Sequence, residues 1–389
     1  MTAAIWLAAS FLTLATMAHL AGVAVAMVRC RRPAASLRAP ADGPPVSLVI
    51  PVCGIDNYGE DTLRSAFQLD YPRFELVFCA ARADDPVVPL VRRLIADHPW
   101  ADAHLLIGDD PVSPNPKLNN VVKGWDAAAH DWIAIVDSNV LMRRDYIQRL
   151  LAVWRADTGL VCSPPAGCSP SGFWAGVECA FLNTYQARWQ YFADSLGFGF
   201  AQGKTLFWRR ADLERAGGIR ALGRDIAEDA AATKIVRDAG LRVRLVDPPA
   251  RQPLGYRSLR AVWQRQSRWA RLRRATFPLF FAPEILSGPA LPLVAVIVLA
   301  WPIDGALGPA ILLFATVWYG SEFTLANAAG WPVSQFLSTA LTRDVMLPAL
   351  WVDAWAGNSF EWRGTTMQAR EPGRPGEGHT ALASGPHGE

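Results

Sequence analysis

Four short polar elements follow one another along the chain, and their side chains suit work on a phosphate-bearing substrate. In chain order they are Asp84-Asp85-Pro86, Asp137-Ser138-Asn139, Ala227-Glu228-Asp229 and Arg265-Gln266-Ser267-Arg268-Trp269. Carboxylates can hold a divalent cation or accept a proton, and arginine offers a permanent positive charge to phosphate oxygens. Three acidic sites followed by a basic-aromatic one are what an enzyme needs to move a sugar from a nucleotide diphosphate.

The first acidic element follows an apolar run that ends at residue 79. We predict that Asp84 and Asp85 contact the nucleotide, because a carboxylate accepts a hydrogen bond from the N–H of a uracil ring. Aspartate before proline is also a common start signal for a helix. Taken alone, the sequence favours this capping role, although two carboxylates can serve both purposes.

The second acidic element stands directly after the apolar run 132–136. Mg²⁺ prefers oxygen ligands and is usually held by one or two carboxylates together with substrate phosphates. We therefore predict that Asp137 binds Mg²⁺ or Mn²⁺ and the donor diphosphate, with Asn139 as a weaker metal ligand. The alternative is a simple turn at the end of a strand, since Asp, Ser and Asn are all common in turns.

The third acidic element opens a helix-like segment, 229–239. We predict that Asp229 is the general base that deprotonates the acceptor hydroxyl, with Glu228 beside it to raise its pKa or orient it. The alternative is that both carboxylates only favour the positive end of the helix dipole.

The basic element completes the predicted set. Arg265 and Arg268 can stabilise the charge that develops on a departing diphosphate, and Trp269 can form a wall of the sugar or acceptor pocket. The alternative is a membrane-surface helix with ordinary arginines and a tryptophan that reach towards the interface. The position of the element, after the acidic sites and before the last apolar segments, favours the catalytic role.

Alternating strands and helices predict the fold that positions these groups. Apolar runs predict strands at 46–52, 74–80, 104–107, 132–136, 159–162, 205–208 and 242–246. Helix-like segments at 61–69, 86–98 and 117–129 separate the early strands. This order predicts an α/β domain with a mainly parallel sheet, which presents ligand-binding groups at the carboxyl ends of its strands.

Apolar stretches flank the predicted domain. Residues 2–28 carry no Lys, Arg, Asp or Glu, and Arg29, Arg31 and Arg32 follow them. This pattern predicts a membrane anchor rather than a cleaved signal peptide, with the following domain in the cytoplasm. Further spans are predicted at 285–301 and 306–330, and we expect Glu322 in the second to face protein.

A third C-terminal apolar stretch, 333–356, carries Arg343 and Asp344 near its middle. It predicts either an interfacial or re-entrant helix, or a span whose charged pair is buried against its neighbours. The arginines at 29–32 and 268–274 are expected to contact anionic headgroups. A net charge of +3 is too small to indicate nucleic acid as a partner.

These segments predict a multi-pass membrane protein with a cytoplasmic catalytic domain, and the Ala/Arg-rich composition suits a GC-rich bacterium, so the inner membrane of a bacterium is the expected location. The predicted parts are a transmembrane anchor at 1–30, a linker at 31–45, the catalytic domain at 46–257, an interfacial helix at 258–275, C-terminal membrane helices at 276–360, and a tail at 361–389 whose end is disordered.

The motifs resemble those of the ceramide glucosyltransferase family, over residues 47–363. Besides the four elements, the resemblance includes Leu69-Asp70-Tyr71-Pro72, Ala216-Gly217-Gly218, Glu361-Trp362-Arg363 and, as its most specific string, Asn115-Pro116-Lys117-Leu118-Asn119-Asn120. The family implies a GT-A fold and an inverting transfer of glucose from UDP-glucose to ceramide.

Carried over residue by residue, the resemblance places Asp85 on the nucleotide, Asp137 on the metal and diphosphate, and Asp229 at the base position. It places Arg265, Arg268 and Trp269 around the donor. Lys117 and Asn120 of the specific string are expected to bind the donor as well.

Two segments depart from the family pattern. Where eukaryotic members carry a histidine within 183–188, the nearest match here is Gln186, and the segment 198–204 is also unlike theirs. The donor can therefore be UDP-glucose or UDP-galactose. The competing prediction is transfer of N-acetylglucosamine or galactose to a hopanoid or diacylglycerol. A polysaccharide synthase and an inactive membrane scaffold are further alternatives that the sequence disfavours.

Overall fold

The computed structural model describes residues 2–31, 36–40, 42–362 and 365–368. The predicted disordered end of the tail lies outside these residues. The strands are β1 Val46–Val52, β2 Phe74–Ala80, β3 Ala103–Ile107, β4 Trp132–Val136, β5 Thr158–Cys162, β6 Pro165–Ser171, β7 Thr205–Arg209, β8 Arg242–Leu245, β9 Ala250–Tyr256, β10 Ser359–Trp362 and β11 Thr365–Gln368. The helices are α1 Thr2–Cys30, α2 Gly59–Ala66, α3 Val87–Asp97, α4 Pro116–Ala127, α5 Tyr146–Val153, α6 Phe173–Ala180, α7 Arg188–Ser195, α8 Arg210–Glu214, α9 Glu228–Asp238, α10 Leu259–Thr276, α11 Pro278–Phe281, α12 Ala290–Ala300, α13 Leu307–Ala329 and α14 Phe336–Ala356.

All seven predicted strands form one sheet, in the order β3-β2-β1-β4-β7-β5-β8. Strands β3, β2, β1 and β4 are mutually parallel, and β7 runs antiparallel to both β4 and β5. The predicted α/β class with a mainly parallel sheet is therefore confirmed. Sequence patterns missed β6 and β9, which form a separate two-stranded sheet, because proline, glycine and polar residues interrupt any apolar run in them.

The central strands are buried on both faces because helices cover the sheet on each side. Alternate residues of β1 point to opposite faces, so Leu48 and Ile50 pack with α2 and α3, whereas Val49 packs with α4. Trp125 of α4 is 1% exposed and anchors that second layer. Burial from both sides explains why these strands are continuously apolar.

The site lies where the direction of winding changes. Strand β1 is hydrogen-bonded to β2 on one side and to β4 on the other, and all three are parallel. The connections that leave β1 and β4 diverge here, which opens a crevice at the carboxyl ends of these strands. Asp137 follows β4 directly, so the fold places it at this crevice.

A continuous helical rod, 173–195, joins the sheet domain to the C-terminal helices. It consists of α6, a π-helical segment Phe181–Ala187 and α7. Thr184 of the rod accepts a hydrogen bond from Arg343 of α14, at 2.7 Å between Nη1 and Oγ1. Arg343 also pairs with Glu322 of α13, at 3.0 Å, and with the neighbouring Asp344, at 2.8 Å. The charged pair of the 333–356 stretch is therefore buried against neighbours, and Glu322 faces protein as expected.

Within the described residues, two helical stretches are long and apolar enough to cross a membrane, as judged by length and composition alone. They are Ala3–Cys30 and Pro278–Ala300. The predicted stretches at 306–330 and 333–356 form α13 and α14, each carrying charged residues.

Three arginines that were expected to contact headgroups instead pair with carboxylates of the protein. Arg29, at the end of α1, contacts Asp194 at 2.5 Å and Asp247 at 3.0 Å, and so ties the N-terminal helix to the sheet domain. Arg271 and Arg273 of α10 pair with Asp353 and Glu284. In addition, β10 and β11 pair antiparallel and extend into the beginning of the segment that was assigned to the tail.

Replacing Arg343 with leucine should strongly destabilise the protein. The change leaves Glu322 and Asp344 buried without their main counter-charge, and breaking a buried ion pair typically costs about 3–5 kcal/mol. The apparent melting temperature in detergent measures the effect. Arg215→Leu, at an arginine that is 70% exposed, serves as the control and should leave it nearly unchanged. An equal response of the two variants would contradict the assignment of the cluster as a structural tie.

Candidate active site

Lys117 lies at the centre of the acidic cluster. Its Nζ is 2.7 Å from Asp137 Oδ1 and 2.7 Å from Glu228 Oε1, and it donates a hydrogen bond of 2.6 Å to the carbonyl of Gly203. Burial alone would lower the pKa of Lys117, but the two carboxylates raise it above its ordinary value. Lys117 is therefore a fixed cation that joins three separate segments of the chain.

The Asn-Pro-Lys string positions this lysine at the first turn of α4. Asn115 caps the helix, and its Oδ1 accepts hydrogen bonds from the backbone N–H groups of Lys117 and Leu118. Pro116 takes the first helical position, where a missing N–H is not needed. Asn115 Nδ2 also donates to Glu228 Oε2 at 2.7 Å, so the same residue holds the third acidic element in place.

The side-chain amide of Asn120 forms its hydrogen bonds within the protein, next to the site. Its Nδ2 donates to the carbonyl of Cys79 at 2.7 Å, and its Oδ1 accepts from Lys123 at 2.6 Å. The side chain is 4% exposed and ties α4 to the end of β2. Asn120, which was predicted to bind the donor, therefore uses its amide in contacts within the protein.

Lys204 bridges the two residues that were predicted to bind metal. Its Nζ is 2.9 Å from Asp137 Oδ2 and 2.9 Å from Asn139 Oδ1. Burial raises the pKa of Asp137, but the ammonium groups of Lys117 and Lys204 outweigh it and hold the pKa below its usual range. Burial lowers the pKa of Lys204, and the nearby charge of Arg265 adds to that lowering. Asp137 is consequently ionised and flanked by two cations.

Asp229 has the electrostatic environment of a general base. Burial raises its pKa to about 7, and the negative charge of Glu228 contributes in the same direction. Asp229 Oδ2 accepts a hydrogen bond from the N–H of Gly203 at 3.0 Å, which orients the carboxylate. A β-carbon at Gly203 would lie 2.8 Å from Glu228 Oε1, so a side chain here would push the Glu228 carboxylate away from its ion pair with Lys117.

Asp84 and Asp85, the first acidic element, make different contacts. Asp85 Oδ1 accepts hydrogen bonds of 2.9 Å from the N–H of Val87, which opens α3, and from the N–H of Gly54 in the loop after β1. The capping role is therefore present, together with a tie between the two loops. Asp84 is exposed and pairs with Arg82 at 2.5 Å. Both residues stand at the carboxyl end of β2, beside the crevice.

The basic element lies on α10 and packs against the helical rod. Arg265 Nη1 is 2.8 Å from Oε1 of Glu178, a fully buried carboxylate in α6. Trp269 packs on Cys179, Leu182 and Leu254. Arg268 is half-buried between them along the helix. The element thus links the crevice to the rod, with Arg265 near enough to Lys204 for its charge to act there.

Two residues of the site, Lys204 and Glu178, were not predicted from the sequence. Lys204 faces Asp137 because β7 pairs antiparallel with β4, which puts the N–H of Asp137 3.1 Å from the carbonyl of Lys204. An antiparallel partner for β4 is not visible in the pattern, although Gly203-Lys204 directly before an apolar run was an available signal. Glu178 lies inside an apolar helical stretch, where a buried carboxylate requires a partner.

A carboxylate of raised pKa next to fixed cations, at the switch point of a doubly wound sheet, is typical of an enzyme that removes a proton beside an anionic leaving group. The model of glycosyl transferase family 21 matches residues 14–374 of the chain. The chain therefore belongs to this family.

The chain is also similar to two curated relatives and to a solved structure. The chain is 26% identical over 331 residues to ceramide glucosyltransferase 3 of Caenorhabditis elegans, covering 82% of this chain and 72% of that protein. It is 30% identical over 245 residues to ceramide glucosyltransferase 1 of the same organism, covering 62% of this chain and about half, 53%, of that protein. A solved mannosyltransferase from Pyrobaculum calidifontis, in complex with GDP-Man and Mn²⁺, is 20% identical with a TM-score of 0.48, covering 89% of this chain and 97% of that one.

The pH profile of glycosyl transfer should report Asp229. Below about pH 7 the carboxylate is protonated and cannot accept a proton, so kcat/KM should fall on the acidic side of that value. Glu228→Gln removes the neighbouring negative charge and should move this decline of kcat/KM, the acidic limb of the profile, to lower pH. Asp238→Asn, on the exposed end of the same helix, should leave it in place. An acidic limb that Glu228→Gln does not move would contradict the electrostatic origin of the shift.

Proposed function

We propose that this enzyme transfers a hexose, glucose in the first instance, from a UDP-sugar to the primary hydroxyl of ceramide, with inversion at the anomeric carbon. The observation that carries the proposal is the juxtaposition of Asp229, whose pKa is raised, with a lysine–carboxylate cluster at the switch point of a family 21 chain. The relatives named ceramide glucosyltransferase support the acceptor.

In the proposed reaction the acceptor oxygen attacks the anomeric carbon in a single displacement. The O–H proton passes to a carboxylate oxygen of Asp229, the bond between the anomeric carbon and the UDP oxygen breaks, and UDP leaves with its electron pair. An α-linked donor then gives a β-glycoside. A positioned base of this kind is typically worth about 10²–10⁴-fold in rate.

The cations of the site stabilise the leaving group in this proposal. Lys117 lies at the crevice as a fixed positive charge, and Lys204 supplies a second one while it is paired with Asp137. Arg268 of α10 is proposed to supply a third. Charges held in place by ion pairs need no reorganisation as negative charge develops on the diphosphate. Asp85 and Asp84, at the end of β2, are proposed to contact the nucleotide, and Trp269 and Arg265 to close the pocket.

A divalent cation fits the donor chemistry of the second acidic element. Asp137 and Asn139 offer a carboxylate and an amide oxygen, which are the hard ligands that Mg²⁺ and Mn²⁺ prefer. Both oxygens accept from Lys204, so an ion held by these two residues would take the place of that ammonium group. When bound, such an ion supplies electrostatic stabilisation of the diphosphate.

Lys204→Met should tighten Mn²⁺ binding by about tenfold or more, because it removes a positive charge that lies within 3 Å of both metal-binding oxygens. Free Mn²⁺ measured by electron paramagnetic resonance during titration reports the affinity without any turnover. Lys204→Arg keeps the charge and serves as the matched control. Mn²⁺ affinity that is unchanged in Lys204→Met would contradict the placement of the ion at Asp137 and Asn139.

The proposed setting is the inner membrane of a bacterium, with the catalytic domain, 46–257, on the cytoplasmic side. Support comes from the two apolar helical stretches and from the basic residues Arg29 and Arg31 that follow the first of them. The 173–195 rod and α10 would then hold the crevice close to the membrane surface, where a lipid acceptor can reach Asp229.

A matrix of donors and acceptors tests the proposed reaction. Detergent-solubilised enzyme with Mg²⁺ receives labelled UDP-glucose, UDP-galactose or UDP-N-acetylglucosamine, each with ceramide, diacylglycerol or a hopanoid. We expect labelled glucosylceramide, reduced at least about 100-fold by Asp229→Asn. Asp126→Asn, at an exposed carboxylate far along α4, should retain full activity.

Label on another lipid only would overturn the acceptor while keeping the mechanism. Full activity in Asp229→Asn would overturn the role of the base.

A further inference from the structure

One buried carboxylate of the rod is shared by two arginines. Glu178, in α6, is 0% exposed. Its Oε1 is 2.8 Å from Nη1 of Arg265, and its Oε2 is 3.4 Å from Nε of Arg257. Among the residues that the structure describes, neither arginine has a second carboxylate within ion-pair distance. Two guanidinium groups therefore share one negative charge, and one positive charge is left without a partner.

The need of Glu178 for a counter-charge explains one of these arginines but not both. A buried carboxylate must be paired with a cation, and Arg265 meets that need at the shorter distance. Arg257 makes the longer contact, through Nε, and its side chain is 16% exposed. The second guanidinium is thus held next to the first without being required to neutralise Glu178.

Two regular elements hold the backbone of Arg257 in place. The residue directly follows β9 and precedes Ser258, which caps α10. Asn57, in the loop after β1, donates hydrogen bonds from Nδ2 to the carbonyls of Leu254, at 2.9 Å, and Tyr256, at 3.2 Å. The end of β9 is therefore fixed to the loop that follows β1, and this loop stands at the carboxyl edge of the main sheet, where the crevice lies.

The same loop contacts residues that are proposed to bind the donor and the metal. The N–H of Gly54 donates to Asp85 Oδ1 at 2.9 Å. Asp56 Oδ2 accepts from Asn139 Nδ2 at 3.4 Å, and the negative charge of Asp56 also acts on Arg257. A continuous set of contacts thus joins Arg257 to the crevice.

The cations on this side of the crevice repel one another. Burial lowers the pKa of Arg257, and the positive charge of Arg265 adds to that lowering, while Glu178 and Asp56 oppose it. The charge of Arg265 likewise lowers the pKa of Lys204. An anion that binds beside these three cations relieves their repulsion, so their arrangement favours a negatively charged ligand.

We propose that Arg257 binds the donor diphosphate together with Arg265, and that Glu178 is the positioning residue that holds both guanidinium groups. The proposal rests on the proposed function and deepens it, since it adds a residue outside the four elements to the donor site. The planar guanidinium fork matches two phosphate oxygens at once, which a lysine cannot do.

Calorimetric titration with UDP and with uridine tests the role of Arg257. The full chain in detergent, with a chelator present, is compared as wild type, Arg257→Gln, Arg257→Lys and Arg260→Gln. We expect Arg257→Gln to reduce the preference for UDP over uridine by about tenfold, with uridine affinity little changed. Arg257→Lys keeps the charge without the fork and should restore part of the preference. Arg260→Gln, at an exposed arginine of α10, should behave as wild type.

Glu178→Gln separates positioning from simple charge. Removing a negative charge would by itself strengthen the binding of an anion, whereas releasing the two arginines weakens it. We expect the preference for UDP to fall by about threefold or more, because binding must then order side chains that the ion pairs had held. Unchanged uridine affinity shows that the fold of the variant is intact.

Two outcomes overturn the proposal alone. In the first, wild type prefers UDP and Arg257→Gln retains the whole of that preference. In the second, Glu178→Gln prefers UDP as strongly as wild type or more strongly, which removes the positioning role. A wild type that binds UDP no better than uridine would instead overturn the donor assignment of the proposed function. No acceptor is present in these titrations, so the result does not depend on which lipid accepts the sugar.

Discussion

The ion pairs of Lys117 are the interaction on which the site depends. This one ammonium group joins the end of β4, the start of α9 and the loop before β7, through Asp137, Glu228 and the carbonyl of Gly203. Burying charges is costly unless they are paired and hydrogen-bonded, and here the partners satisfy one another. Because the three segments are far apart in sequence, the crevice takes its shape only when the whole sheet has formed.

The same pairing divides the site into two electrostatic halves. Asp137 is flanked by two lysines and is kept ionised, so that side of the crevice suits a diphosphate and its counter-charges. Asp229 lies next to Glu228 and is partly removed from water, so its pKa rises towards the range in which a base works well. Neighbouring carboxylates thus acquire opposite tendencies from their surroundings, which is how one site can hold an anion and remove a proton.

Much of this could be predicted from the sequence, and the rest could not for identifiable physical reasons. Continuous apolar runs located all strands of the main sheet, because strands covered on both faces carry that signature. Asp137 and Asp229 could be singled out as candidates because each stands at the boundary of an element. Lys204 was missed because its contact with Asp137 depends on an antiparallel pairing between strands that are distant in sequence.

For three arginines the contacts predicted from the sequence were wrong. Arg29, Arg271 and Arg273 were expected to contact lipid headgroups from their position near apolar segments, yet each pairs with a carboxylate that only the tertiary structure brings near. The buried Arg343–Glu322 pair follows the same logic, although there the sequence indicated that a charge within an apolar helix must face protein.

We propose that the lysine–carboxylate cluster at the switch point binds the donor diphosphate. Calorimetric titration of UDP and of uridine, in the presence of a chelator, tests it most directly in wild type, Lys117→Gln and Lys204→Gln. We expect wild type to prefer UDP over uridine and both substitutions to reduce this preference by about tenfold, with uridine affinity little changed. A preference for UDP that persists undiminished in both variants would show that the lysines do not bind the diphosphate.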